Sequence, residues 1–139
     1  MQDTEILRGV LDQWQAGIDA HQPDRVAALF TADAVFQGLH PYSVGRQGVA
    51  EYYASQPPGM TVTYRLLETR RPATNAVLGY VAADFAYPDR PTVSLYICVL
   101  AVHGDDAWRI GHYQASRVDP GARADGGNRP DSARAARNR

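Results

Sequence analysis

The chain has 139 residues, 45% of them hydrophobic, with a formal net charge of −1, one cysteine and no lysine. That is enough apolar material for one globular domain with its own core, and a single cysteine excludes an intrachain disulfide and argues against a cysteine-based metal site. Residues 1–118 hold nine arginines against twelve acids, and 119–139 five arginines against three aspartates, so the body is mildly acidic and lacks a basic surface for phosphate backbones.

All fourteen basic residues are arginine, which reflects a coding bias towards high GC content, as in actinobacteria, and not a physical requirement. The start, Met1-Gln2-Asp3-Thr4-Glu5, is acidic and runs straight into an amphipathic segment, unlike a signal peptide. No apolar run approaches membrane-spanning length. A cytoplasmic protein with no nucleic-acid and no membrane partner is expected, and the lone Cys98 fits a reducing compartment.

In chain order, Ile6, Leu7, Val10, Leu11, Trp14 and Ile18 recur at helical spacing. They predict a helix with one apolar stripe, capped by Asp3 or Thr4 and stopped at His21-Gln22-Pro23. Trp14 on such a stripe reads as core packing. Asp24 is placed to cap a short helix carrying Val26, Leu29 and Phe30, after which Thr31-Ala32-Asp33 turns the chain into a brief strand over 34–37. Asp33 itself reads as a turn former. Gly45-Arg46-Gln47-Gly48 leads into a third helix with Val49, Tyr52 and Tyr53 at i, i+3, i+4, stopped by Pro57-Pro58-Gly59.

From Thr61 the period changes to two, predicting strands near 61–68, 77–87, 92–103 and 107–118 with hairpin loops at 87–91 and 103–106. Helices first and strands after give an α+β domain over 1–118, in which a strongly curved antiparallel sheet wraps a helical layer. Strands 77–87 and 92–102 are apolar on both faces. One face then meets the helices and the other a second copy, so a homodimer through the sheet face is expected. Residues 119–139 are rich in Asp, Gly, Arg, Ala, Asn and Pro, and are expected to be a disordered C-terminal tail that the fold does not need.

The order of short helix, Leu29-Phe30-Thr31-Ala32-Asp33-Ala34-Val35-Phe36, loop, Gly45-Arg46-Gln47-Gly48-Val49 and short helix resembles the nuclear transport factor two-like superfamily, within it the SnoaL-like and SgcJ/EcaC-like proteins. Trp108, Ile110, His112, Gln114 and Ser116 resemble the superfamily's last-strand pattern W-x-I-x-H-x-H-x-S, with Gln114 where many members carry a second His. The resemblance covers roughly Thr4 to Val118. It implies a cone-shaped α+β barrel with an antiparallel, partly mixed sheet, and a pocket between sheet and helices over which the first helix, with Trp14, acts as a lid.

If His112 faces that pocket, alternation brings Gln114 with it and turns Arg109, Tyr113 and Arg117 to the opposite face, the one expected to bury against the second copy. Neighbouring strands offer Tyr64, Tyr80, Asp84 and Tyr96, while Phe36 and Tyr52 add apolar walls and His40 closes the mouth. An apolar, tyrosine-rich cavity with few polar groups suits a small apolar molecule. His112 is the leading acid/base candidate, the alternative being a structural histidine hydrogen-bonded inside the barrel. Asp84 interrupts an apolar strand and is either a pocket carboxylate or an edge residue facing water. Arg46 either binds an anionic ligand or pairs with Asp33 and pins the loop.

No cofactor and no metal are expected. The chain lacks G-x-x-x-x-G-K-[ST], a strand-linked G-x-G-x-x-G, H-E-x-x-H and G-x-S-x-G, and His21, His40, His103 and His112 show no ligand-like spacing. Ketosteroid isomerases, which the chain resembles in fold, use a tyrosine on the first helix, where only Trp14 is in reach. Polyketide cyclases of the SnoaL type rely on a last-strand carboxylate, where this chain has His112 and Gln114. Two functions follow: a cofactor-free acid/base enzyme of isomerase, dehydratase or cyclase type on a small, largely apolar metabolite, as in secondary metabolism, or a non-catalytic ligand-binding or dimerisation module.

Overall fold

The stripe that predicts the first helix is buried along its whole length. A computed structural model describes residues 2–118, with α1 at Asp3–Asp19 burying Ile6, Leu7, Val10, Leu11, Trp14 and Ile18. Its N-cap is Gln2 in place of Asp3 or Thr4. Asp3 already occupies the first helical position, and the Glu5 carboxylate accepts the Gln2 N–H at 2.9 Å, satisfying one of the end donors.

The second helix is shorter than its sequence pattern. α2 spans only Pro23–Ala27, with proline in the first turn, where its missing N–H costs nothing. Asp24 lies inside this helix and does not cap it. Phe30 has left the helix altogether: it opens β1 (Phe30–Gln37) and pairs in parallel with Ile110 of the last strand, so tertiary pairing overrides the local helical spacing. Ser43–Val44, which has no strand signal of its own, forms β2 antiparallel to β1. Gly45 then turns the chain at φ 93, in the region that favours glycine, into α3 (Arg46–Ala54), which buries Val49 and Tyr53.

Four long strands follow: β3 (Thr61–Ala73), β4 (Ala76–Tyr87), β5 (Arg90–Gly104) and β6 (Ala107–Arg117). β3 runs on past Glu68 because Thr69 and Arg70 still pair with Gly79 and Leu78. The single sheet has the order β2-β1-β6-β5-β4-β3, antiparallel except for the parallel β1–β6 pair. α1 touches β3, β4, β5 and β6, so the sheet curls around it. Val77, Val81 and Phe85 of β4 and Leu95, Ile97 and Val99 of β5 face the helices, none more than 6% exposed. Burying such a side chain contributes roughly 1.5–3 kcal/mol, and this row holds the helical layer on the sheet.

Alternation along β6 breaks at Gly111. Ala101 of β5 stands opposite Ile110 while the adjacent Leu100 stands opposite His112, so Gly111 is an extra residue, a β-bulge. Ile110 and Tyr113 consequently share the helix side, 1% and 2% exposed. His112, Gln114 and Ser116 lie on the outer face opposite Leu100, Cys98 and Tyr96; Arg109 joins them opposite Val102, whereas Arg117 is inward opposite Leu95. A shared dimer face of Arg109, Tyr113 and Arg117 is thereby corrected: the protein's own helices cover Tyr113, and the three residues do not share a face. The expectation for 119–139 lies outside the described residues.

Candidate functional site

Where the sheet opens beyond α3 there is a cavity of about 210 Å3. At roughly 30 Å3 of liquid volume per water this is room for about seven waters, smaller than a drug-sized site. Phe85 and Tyr87 at the end of β4 and Val93 and Leu95 near the start of β5 form one wall. Tyr113 and Arg117 come from β6 beyond the bulge. Leu39, His40, Tyr52, Gln56 and Met60 close the other side from the β1–β2 loop, α3 and the segment after it.

Behind this wall runs a chain of buried polar groups. Trp14 Nε1–H donates to Tyr53 Oη at 3.1 Å, and Tyr53 Oη donates to Tyr113 Oη at 3.5 Å. An indole N–H is a donor only, so Tyr53 Oη accepts from Trp14, and its contact with Tyr113 Oη carries the chain to the cavity wall. Burial raises the pKa of Tyr53, and of Tyr113 well above the ordinary phenol value. Both therefore remain neutral donors at physiological pH.

Tyr52 is set by a different contact. Its Oη accepts the Leu39 N–H at 3.3 Å, and its ring stands edge-on to His40 with centroids 5.4 Å apart. Gly38 makes this approach possible, since a Cβ there would collide with the Tyr52 ring. Burial raises the Tyr52 pKa, opposed by the Leu39 N–H and by the charge of Arg117.

Of the residues singled out in the sequence, His40 and Tyr52 line the cavity. Trp14 lies one layer behind it, 0% exposed, as the first donor of the chain. Phe36 is also buried: it stacks on Tyr113 at 4.8 Å and borders a shallower groove behind His40 and Tyr52. Tyr64 stands against α1, where it donates to Asp12 Oδ1 at 2.5 Å and has its pKa pushed up to about 12, by burial first and then by Asp12.

The remaining candidates are corrected, because they lie on the outer face of the sheet. Tyr80 and Tyr96 stack on one another with centroids 5.5 Å apart, and Asp84 Oδ1 accepts from Ser94 Oγ at 2.6 Å. His112 Nε2 stands 3.4 Å from Gln114 Oε1. The bulge at Gly111 carries His112 and Gln114 outward, and their ladder partners on β5, with Tyr80 and Asp84 on β4, follow in register. Arg46 does not pair with Asp33. Its Nε donates to the Phe30 carbonyl at 2.7 Å, tying α3 to β1, while Asp33 accepts from Thr31 Oγ1 at 3.0 Å. Among the described residues no three His, Cys, Asp or Glu side chains converge in a way that could hold a metal ion.

Sequence reasoning missed Tyr113, Arg117, Tyr87 and Phe85 as wall residues. A signal was present on the neighbouring strands: Val77, Val81 and Phe85, with Leu95, Ile97 and Val99, are uniformly apolar, whereas the alternate set contains Asp84 and Ser94. That contrast identifies the inner side of β4 and β5, and pairing to β5 would then have placed Tyr113 inward.

No family model matches the chain, and no curated protein matches it. Solved structures do. A domain of unknown function with a cystatin-like fold from Nostoc punctiforme is 17% identical, with 84% of this chain and 78% of that one covered at a TM-score of 0.74. A ketosteroid isomerase-like protein from Erwinia carotovora atroseptica is 16% identical over 86% of this chain and 98% of its own, at 0.72. A nuclear transport factor two-like protein of unknown function from Shewanella oneidensis is 14% identical over 83% and 99%, also at 0.72. The fold is therefore the α+β fold that these cystatin-like, ketosteroid isomerase-like and nuclear transport factor two-like structures share. No helix among the described residues is long and apolar enough to cross a membrane.

Proposed function

We propose that this protein binds a small, largely apolar metabolite in the cavity and acts on it as a cofactor-free acid/base enzyme of isomerase, dehydratase or cyclase type. The observation that carries the reading is the chain from Trp14 through Tyr53 to Tyr113, which ends in a buried hydroxyl on the cavity wall. A donor held there in advance stabilises negative charge that develops on a carbonyl oxygen. His40 supplies an imidazole on the wall, the side-chain type that exchanges a proton most readily near neutral pH. The solved ketosteroid isomerase-like protein has the same fold, and in this chain the phenol on the cavity wall stands on the last strand.

The test is proton exchange into small apolar ketones in deuterated water, followed by NMR. Wild-type protein should accelerate exchange next to the carbonyl, and Tyr113→Phe or His40→Ala should each lower it by roughly a hundred-fold or more. His112→Gln and Asp84→Asn, both on the outer face, should leave it unchanged. Binding without exchange in the wild type would refute the catalytic role.

A second reading, a non-catalytic ligand-binding or dimerisation module, is favoured by a specific observation: among the described residues no aspartate or glutamate lines the cavity. Under both readings we expect a homodimer through the outer sheet face, where Tyr80 is 39% exposed and stacked on Tyr96. A monomer by light scattering at micromolar concentration would remove that part of the proposal. A cytoplasmic setting belongs to the same reading and is supported by the single, unpaired Cys98.

A further inference from the structure

We propose that the ligand of the cavity is a small apolar monocarboxylic acid, with its carboxylate on Arg117 and its apolar body between Phe85, Val93 and Leu95. The inference rests on the small-molecule reading of the same cavity and narrows its ligand class. Three observations carry it.

The first is the position of Arg117. The bulge at Gly111 turns it to the inner side, opposite Leu95, and its side chain lines the cavity. Among the described residues the arginine ion pairs are those of Arg70, Arg71 and Arg90, so the Arg117 guanidinium has no carboxylate partner within the described protein. The second is the balance of charge. Among the described residues no acid lines the wall and Arg117 is its one permanent charge, and nearby Arg90, which stacks on Tyr87, is already paired with Asp89 at 3.1 Å. An amine would meet an uncompensated cation, whereas an anion meets a positive field between apolar walls. The charge of Arg117 already acts at the Tyr52 phenol, on the opposite wall.

The third is shape. A planar guanidinium fork matches the two oxygens of a carboxylate, while a phosphate dianion calls for more cationic donors than one arginine. The cavity of about 210 Å3 leaves space for one ring or short chain beyond the carboxylate. Its apolar surface comes from Phe85, Val93, Leu95 and Met60.

The experiment uses matched pairs, benzoate with benzamide and hexanoate with hexanamide, added to the full chain and read by backbone amide NMR shifts. The acids should shift Phe85, Leu95 and Tyr113 and bind about tenfold or more tightly than their amides. Added salt should weaken the acids and leave the amides unaffected. R117Q should abolish the difference while keeping the affinity for the amides, and R117K should retain part of it. Arg117 is exposed, so neither change threatens the fold. Equal binding of acids and amides at the wall, or an acid preference that survives R117Q, overturns the carboxylate assignment and leaves the small-molecule reading standing. Inorganic phosphate that displaces benzoate at comparable concentration also overturns it, in favour of a general anion site. If neither acids nor amides shift any wall residue, the small-molecule reading fails and this proposal fails with it.

Discussion

Replacing Tyr53 by Phe removes one oxygen from the middle of the buried chain and leaves the ring in place. The Trp14 Nε1–H, on a side chain that is 0% exposed, then loses its acceptor. A buried donor left unpaired costs about 1–3 kcal/mol. Tyr113 Oη loses a long contact of 3.5 Å and still borders the cavity, so its share is small. Tyr53→Phe should therefore destabilise by about 1–3 kcal/mol, which moves Tm by several degrees in a domain of this size. Tyr113→Phe is the comparison: it leaves the Trp14–Tyr53 bond of 3.1 Å intact and removes only the longer contact of 3.5 Å, so it should cost less than Tyr53→Phe. Trp14→Phe combined with Tyr53→Phe should cost less than the two single changes added together, because the second change no longer strands a donor. Urea unfolding at constant m-value measures all four proteins. A neutral Tyr53→Phe, or a Tyr113→Phe that costs more than Tyr53→Phe, would show that the chain does not run in this direction.

Alkaline pH tests the same buried phenols. Burial raises the pKa values of Tyr52, Tyr53 and Tyr113 and pushes Tyr64 up to about 12, so the folded state holds these protons more tightly than the unfolded chain. Their contribution is complete below the ordinary phenol value and is lost as pH rises above it, through about 12 for Tyr64. Urea midpoints should fall across that window, with phenolate absorbance from these four appearing only on unfolding; full ionisation of all eight tyrosines in a folded protein would contradict it. Deleting Gly111 should be more severe, since removing the bulge residue turns His112 and Gln114 inward and Tyr113 outward. A loss of more than about 3 kcal/mol, on the scale of truncating a core aromatic, is expected in denaturant unfolding, and a cooperative fold of wild-type stability would refute the role given to the bulge.

Local pattern was enough for much of this protein. The apolar spacing from Ile6 to Ile18 specifies a helix with one buried stripe, and the change of period at Thr61 specifies the run of strands, because both follow from where successive side chains point along a helix or a strand. Helices before strands then leave few ways to bury both, and the α+β layering follows. Relative facing was legible too: His112 and Gln114 do share a face, as do Tyr80 and Asp84.

What alternation cannot supply is its phase, or the place where the phase changes. The motif from Trp108 to Ser116 reads as unbroken period two, yet Gly111 inserts one residue, so Ile110 and Tyr113 share the inner face and His112 leaves it. At that bulge β6 pairs with two neighbours at once, β5 antiparallel on one side and β1 parallel on the other, and no window of the sequence contains both partners. The shortening of α2 has the same origin, since Phe30 is drawn into β1 by Ile110, far along the chain. The cavity is a third such outcome. Tyr113 and Arg117, His40, and Phe85 come from three separate segments, and only the curl of the sheet around α1 brings them to one wall.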